Sequence, residues 1–196
     1  MRKLAIAMAL ASTAIASPAL ARDKSWYIGV EGGASIVEDI TFNLSRTVGT
    51  TTTTGTSTID HDYGYDVDGI VGYDFGVFRL EAEVGYKRAR LDAYESTLTT
   101  FGGGVPNVRY DHQVGGSTSA LSFMMNGLLD FGDETGISGY VGGGAGIARV
   151  KFSNYRFAGA SPFLDDSATR FAGQGIAGAR APLTDNIDVG LTYRFF

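Results

Sequence analysis

The stretch Tyr65-Asp66-Val67-Asp68-Gly69-Ile70-Val71-Gly72-Tyr73-Asp74-Phe75, the turn Gly76-Val77, and Phe78-Arg79-Leu80-Glu81-Ala82-Glu83-Val84-Gly85-Tyr86-Lys87 together decide the fold. Before the turn the odd positions are apolar or aromatic, and after it the even ones are. The intervening positions carry Asp, Arg, Glu and Lys, broken by Ile70, Gly72 and Gly85. A period of two marks extended strands, because successive side chains point to opposite faces. One face is therefore greasy and the other ionised. A single such strand also suits a soluble, half-buried sheet, so repetition has to discriminate.

The pattern recurs along the chain. Trp26, Ile28, Val30, Gly32, Ala34 and Ile36 alternate with Tyr27, Gly29, Glu31, Gly33 and Ser35. Leu121, Phe123, Met125, Gly127, Leu129 and Phe131 alternate with Ser122, Met124, Asn126, Leu128 and Asp130. Ile137 to Ile147 gives a weaker, glycine-rich version. Phe171, Ala177, Ala179 and Leu183 lie opposite Arg170, Gln174 and Arg180. Ile187, Val189, Leu191, Tyr193 and Phe195 alternate with Asp188, Gly190, Thr192 and Arg194. Each run approximates the ~9–11 residues that a tilted membrane strand needs. Short turns at 75–77, 132–136 and 182–186 alternate with long polar loops at roughly 38–62, 93–116 and 152–168. That alternation belongs to outer-membrane barrels, whose periplasmic turns are short and outer loops long. The Thr-rich tract Thr47 to Thr58 reads as a low-complexity loop. Trp26, Phe75, Phe78, Phe131 and Tyr193 fall near strand ends, where an interfacial aromatic belt belongs.

The N-terminus supplies an export signal. Arg2 and Lys3 precede the apolar stretch Leu4 to Ile15, and Ser17-Pro18-Ala19-Leu20-Ala21 offers a small-x-small cleavage site. This predicts a signal peptide over 1–21 and a mature barrel domain over 22–196. Cleavage moves the net charge from −5 to −7, a poor balance for nucleic-acid binding. The chain has no cysteine, so no disulfide framework supports it. Later apolar runs are all broken by charges or Gly, so a membrane passage must be made by strands.

The expected fold is all-β: an antiparallel up-and-down transmembrane barrel of the eight-stranded type, with seven strands readable. Bacterial single-chain barrels have even strand numbers. The parity predicts that the chain is a fragment lacking its last strand, with a natural end at Tyr193-Arg194-Phe195-Phe196 as the counter-reading. The inward faces collect Glu31, Asp66, Asp68, Asp74, Glu81, Glu83, Asp130 and Asp188 against Arg79, Lys87, Arg170, Arg180 and Arg194. A barrel of about eight strands has room inside only for its own side chains. Two readings follow: a salt-bridged polar plug, or a narrow conducting path.

The segments Tyr63-Gly64-Tyr65-Asp66-Val67-Asp68-Gly69, Gly72-Tyr73-Asp74-Phe75 and Arg79-Leu80-Glu81-Ala82-Glu83-Val84-Gly85-Tyr86 resemble the outer-membrane barrel domain related to outer membrane protein A, of alphaproteobacterial type. Ala179-Arg180-Ala181-Pro182-Leu183 and Val189-Gly190-Leu191-Thr192-Tyr193-Arg194-Phe195 fit the same pattern. The resemblance implies envelope integrity, weak pore activity and surface recognition. It also implies an eighth strand after the Tyr-Arg-Phe segment, and a peptidoglycan-binding domain that this chain does not contain. Expected partners are outer-membrane lipid and lipopolysaccharide, with a monomeric barrel in the cell outer membrane. Surface adhesion or reception through the long loops is an alternative function, and an outer-membrane enzyme a distant one. The only histidines, His61 and His112, pair in sequence with Asp62 and Asp111 in or beside loops, too little to specify catalysis. No ligand spacing predicts a metal, no cofactor is expected, and Gly142 to Gly146 lacks the Lys of a phosphate loop and reads as relief of crowding in a strand.

Overall fold

The computed structural model describes residues 8–18, 24–37, 39–98, 105–132, 136–162 and 164–196. The predicted cleavage residue Ala21 and the basic pair Arg2 and Lys3 lie outside them. The described chain is all-β, in eleven strands. These are β1 (Met8–Pro18), β2 (Ser25–Val37), β3 (Ile40–Val48), β4 (Thr51–His61), β5 (Gly64–Asp74) and β6 (Phe78–Ser96). They continue with β7 (Val108–Asp111), β8 (Val114–Gly132), β9 (Ser138–Phe157), β10 (Leu164–Thr184) and β11 (Ile187–Phe195). Every pairing is antiparallel.

Following the neighbours β6-β5-β2-β1-β11-β10-β9-β8 leads back to β6, so eight strands close on themselves. All seven strands expected from alternation are present. The eighth place, between β2 and β11, is filled by Met8–Pro18, a segment read from sequence as part of a signal peptide. Closure satisfies the backbone groups that an open edge would expose to lipid.

The orientation of the faces follows the alternation. Trp26, Val30, Val67, Phe123, Met125 and Leu191 are exposed on the outer skin, while Asp66, Asp68, Glu83, Lys87 and Arg194 are buried within. At the short-turn end, Trp26, Tyr73, Phe75 and Phe78 form a chain of ring contacts with successive centroid separations of 5.4, 4.6 and 6.2 Å. The tight turn from β5 to β6 needs Gly76 at φ +103°, and its amide donates to Asp74 Oδ1 at 2.7 Å. Only Gly adopts that conformation without strain.

The structure corrects the loop assignments at the other end. Residues 40–48 and 51–61 form a hairpin that pairs with the outer part of β6, and β7 pairs with β6 as well. The Thr-rich tract is thus largely strand. Thr is β-branched and suits a pleated surface, and Thr41–Thr58 and Thr47–Thr52 hydroxyl pairs link the two strands at 3.3 and 3.0 Å. Strands β6, β8, β9 and β10 likewise run well beyond the greasy belt. In β6 the polarity inverts on leaving it: Ala89, Leu91 and Ala93 now point inward and are buried, while Arg88 and Arg90 face out. Above the barrel, Ile59, Leu91, Tyr94, Tyr155 and Phe157 pack as an ordinary apolar core, with Phe157 in edge contact with both Tyr94 and Tyr110.

Candidate functional site

The interior holds an ionised column assembled from the inward positions of β2, β5, β6, β8, β9, β10 and β11, beside a buried apolar cluster of Leu128, Tyr140 and Ile176. Its centre is Arg194, 1% exposed, whose guanidinium meets Glu31 Oε2 at 2.5 Å, Asp68 Oδ2 at 3.0 Å and Glu83 Oε2 at 3.6 Å. Lys87 Nζ lies 3.5 Å from Asp66 Oδ2 and 3.7 Å from Asp68 Oδ1. Neutral groups complete the coordination of Glu83: Asn126 Nδ2 donates to Oε2 at 2.8 Å and Gln174 Nε2 at 3.1 Å. Gln174 Nε2 also reaches Asn126 Oδ1 at 2.8 Å. Thr192 donates to Glu31 at 3.2 Å and shares a 2.6 Å hydrogen bond with Tyr140.

Toward the short turns a second tier is centred on Arg79. Its Nε donates to Asp130 Oδ2 at 2.6 Å, and its NH1 lies 3.4 Å from Glu81 Oε1. Tyr27 donates to the same Glu81 oxygen at 2.5 Å. The guanidinium also stands over the Tyr140 ring at 4.8 Å, a favourable cation–π placement. Arg180 bridges Asp74 and Asp130, each at 3.5 Å.

The two tiers follow from spacing alone. Inward side chains recur every second residue, and adjacent strands bring Glu31 opposite Asp68 and Asp66 opposite Lys87. Buried charges in so narrow a space are tolerable when paired and hydrogen-bonded. Gly144 makes room for this: a Cβ there would sit 1.9 Å from Asn126 Oδ1 and 2.8 Å from the Met125 carbonyl oxygen. The glycine run thus serves close packing of strands β8 and β9.

Most sequence-predicted lumen residues enter the column: Glu31, Asp66, Asp68, Asp74, Arg79, Glu81, Glu83, Lys87, Asp130, Arg180 and Arg194. Asp188 lies half-buried at the short-turn end, lining a shallow pocket with Arg180 and Asp130. Arg170 does not join. It is exposed and donates to the Thr169 carbonyl at 3.0 Å. Along β10 the first inward residue to be buried is Gln174, so Arg170 stands outside the packed part of the column. Alternation could not distinguish a position inside the column from one above it. It also gave no weight to Tyr27, Asn126, Tyr140, Gln174 and Thr192, neutral residues whose inward parity was the available signal.

The two histidines separate. His112 is 82% exposed in its side chain and bonds Asp92 Oδ1 at 2.8 Å. His61 is tucked into the outer cap, where Nε2 lies 2.8 Å from Thr118 Oγ1 and 3.0 Å from Tyr155 OH. Thr118 and Tyr155 are themselves hydrogen-bonded. Burial lowers the His61 pKa to about 4 and pushes the Tyr155 phenol up to about 12. Protonating His61 therefore opposes the folded cap. Above pH ~6.5 the ring is neutral in both folded and unfolded chains, and stability is independent of its titration. As pH falls from ~6.5 towards 4 the unfolded chain takes up the proton first, a loss of about 2 kcal/mol at pH 5. Amide exchange in 59–61 and 153–157, corrected for intrinsic rates, should be faster at pH 5 than at 7.5, and His61→Gln should abolish the difference. Exchange that is the same at both pH values in the unsubstituted protein would contradict this.

Among the described residues no group of three or more His, Asp or Glu side chains forms a metal-binding cluster. Comparison with known proteins supplies the family. Residues 7–196 match the outer membrane protein beta-barrel domain. The chain is also 33% identical over 135 residues to outer membrane protein PagN of Salmonella typhimurium strain LT2, covering 64% of this chain and 54% of the relative. It therefore spans about half the length of that relative. No solved structure matches. An all-β closed sheet with a greasy skin, an ionised axis and a family match across nearly its whole length is a barrel of the cell outer membrane, and the chain belongs to the outer membrane protein beta-barrel domain family.

Proposed function

We propose that this protein is a structural barrel of the outer membrane, supporting envelope integrity, with a lumen closed by its own charge pairs. The observation that carries the reading is the Arg194 cluster. One guanidinium is shared among Glu31, Asp68 and Glu83, and Lys87, Asn126 and Gln174 complete the same cross-section. Small barrels fill their interiors with side chains, and here those side chains are interlocked rather than lining a free path. In this reading the chain is a counterpart of the barrel domain related to outer membrane protein A, which its segments 63–69 and 189–195 resemble.

Single-channel recording on the refolded full chain in planar bilayers tests this. The expected trace is silent across physiological voltages. Steady unitary openings that change with Arg79→Leu or Glu83→Leu would replace the plug by a narrow pore.

A second reading, surface adhesion or reception, draws on the β3–β4 hairpin. It projects from the long-loop end with an exposed, hydroxyl-rich surface, and the Ile59–Tyr94–Tyr155–Phe157 core beneath holds it to the barrel. Deletion of 42–57 should leave the barrel folded, as read by a mobility difference between heated and unheated samples, while abolishing any cell binding that the whole protein shows.

A further inference from the structure

The outer skin of β6, β8, β9 and β10 changes chemistry in rows. Val84, Phe123, Ile147 and Phe171 are paired neighbours across the four strands, all apolar. The next row towards the long loops is Tyr86, Leu121, Arg149 and Thr169. Beyond it come Arg88, Ser119, Lys151 and Ser167, and then Arg90, Ser117 and Ser153. Rows two residues apart are separated by ~7 Å, and alternate strands by ~10 Å. Four exposed cations are thereby gathered directly above the hydrocarbon-facing belt, interleaved with hydroxyls.

These cations differ from those inside. Arg79, Lys87, Arg180 and Arg194 all have carboxylate partners. Among the described residues Arg88, Arg90, Arg149 and Lys151 make no ion pair; Arg88 and Arg149 donate only to Ser117 and Ser167 hydroxyls, each at 3.2 Å. Asp62, whose amide donates to the Arg90 carbonyl, turns its carboxylate to the Tyr63 amide at 2.7 Å. The patch is also one-sided. On β5 the neighbour of Arg88 is Tyr65, and on β2 the neighbour of Tyr65 is Ala34. The inversion of polarity in β6 between Tyr86 and Ala89 independently places this level at the edge of the membrane.

We infer that Arg88, Arg90, Arg149 and Lys151 form a binding site for the phosphorylated headgroup of an outer-leaflet glycolipid. The acyl chains would lie on the Val84–Phe123–Ile147–Phe171 row, with phosphate oxygens reached by guanidinium forks, the Lys151 ammonium and the serine hydroxyls. Guanidinium geometry suits bidentate phosphate binding, and cations at a membrane surface attract anionic lipid. A lipid fits better than a soluble polyanion because the cations border the apolar belt directly, not the β3–β4 hairpin. The inference rests on the chain being an outer-membrane barrel, not on whether its lumen is closed.

Native mass spectrometry of the refolded full chain tests it, after incubation with lipopolysaccharide, with enzymatically dephosphorylated lipopolysaccharide, and with phosphatidylcholine. The expected result is retention of the phosphorylated lipid alone. Removing three charges with Arg88→Gln, Arg149→Gln and Lys151→Gln should weaken retention about a hundredfold, on a surface contribution of roughly fivefold per cation. Arg46→Gln, in the exposed hairpin, should leave it unchanged. Lys151→Gln alone serves if the triple variant loses its heat-modifiable fold, with about a fivefold loss expected. Equal retention of the dephosphorylated lipid, no loss in folded variants, or selective capture of soluble heparin instead of the lipid would each overturn the site.

Discussion

Arg194→Leu should destabilise the barrel by about 3–5 kcal/mol, the scale for removing one partner of a buried ion pair. Glu31, Asp68 and Glu83 all lie within 3.6 Å of its guanidinium nitrogens, and both Arg194 and Asp68 are essentially inaccessible to solvent. Without the cation, Asp68 keeps only Lys87 as an ion-pair partner among the described residues, and Lys87 is shared with Asp66. The remaining carboxylates must be desolvated uncompensated or take up protons. Equilibrium unfolding in urea, followed by the loss of the compact band in unheated gels, measures the effect. Arg194→Lys should fall between, since an ammonium cannot reproduce the planar fork. Combining Arg194→Leu with Glu31→Gln and Asp68→Asn should recover part of the loss, because the charges are then removed together. A penalty below about 1 kcal/mol for Arg194→Leu would mean that the cluster holds little of the barrel's stability.

The second large effect is expected at the seam. Strands β2 and β11 do not pair with each other; each pairs with Met8–Pro18 between them. A chain of residues 22–196, as cleavage after Ala21 would leave, loses both sets of backbone hydrogen bonds. In hydrocarbon each unsatisfied backbone group costs several kcal/mol. Refolded alone, 22–196 should therefore show a lower unfolding midpoint than the full chain, or pair its open edges with a second copy. Adding back a strand in the same antiparallel place should restore the unfolding midpoint of the full chain. Equal stability and monomeric behaviour of both chains would show that β2 and β11 can close the ring by themselves.

The membrane half of the fold was legible because the bilayer requires the outward residues of a strand to be apolar, while the inward ones are mostly polar, with Ile70, Met124, Leu128 and Ile176 as buried apolar exceptions. Tyr65 to Lys87 states that rule twice with a turn between, and the observed strands Gly64–Asp74 and Phe78–Ser96 contain it. Beyond the greasy belt the rule ends. Arg88-Ala89-Arg90-Leu91-Asp92-Ala93 still alternates, with its phase reversed, because water now lies outside and an apolar core inside. Followed by phase rather than by hydrophobicity, this segment would have shown β6 continuing to Ser96. Thr47 to Thr58 carried no such contrast, since both faces are hydroxyl-rich; its β-branched composition was the surviving signal. The place of Met8–Pro18 was hidden for another reason. An apolar stretch behind two basic residues reads first as an export signal, and nothing in its composition names the edges it pairs with.

The column was legible as a list but not as a network. Parity places Arg194 and Arg79 inside, yet the sharing of Arg194 among three carboxylates depends on barrel curvature and strand tilt. Register also joins residues far apart in sequence, as when Gln174 reaches Glu83.

The most direct test of the account is a nitroxide accessibility scan along β8 in lipid bilayers, feasible because the chain has no cysteine of its own. Single cysteines at 121 to 131, labelled in turn, should show oxygen accessibility that rises and falls with a period of two. High values are expected at Phe123, Met125 and Leu129, and low values at Met124, Asn126 and Leu128, as their exposures of 50, 61 and 53% against 2, 1 and 1% require. The opposite phase, or a profile without alternation, would contradict a wall whose apolar side meets the lipid.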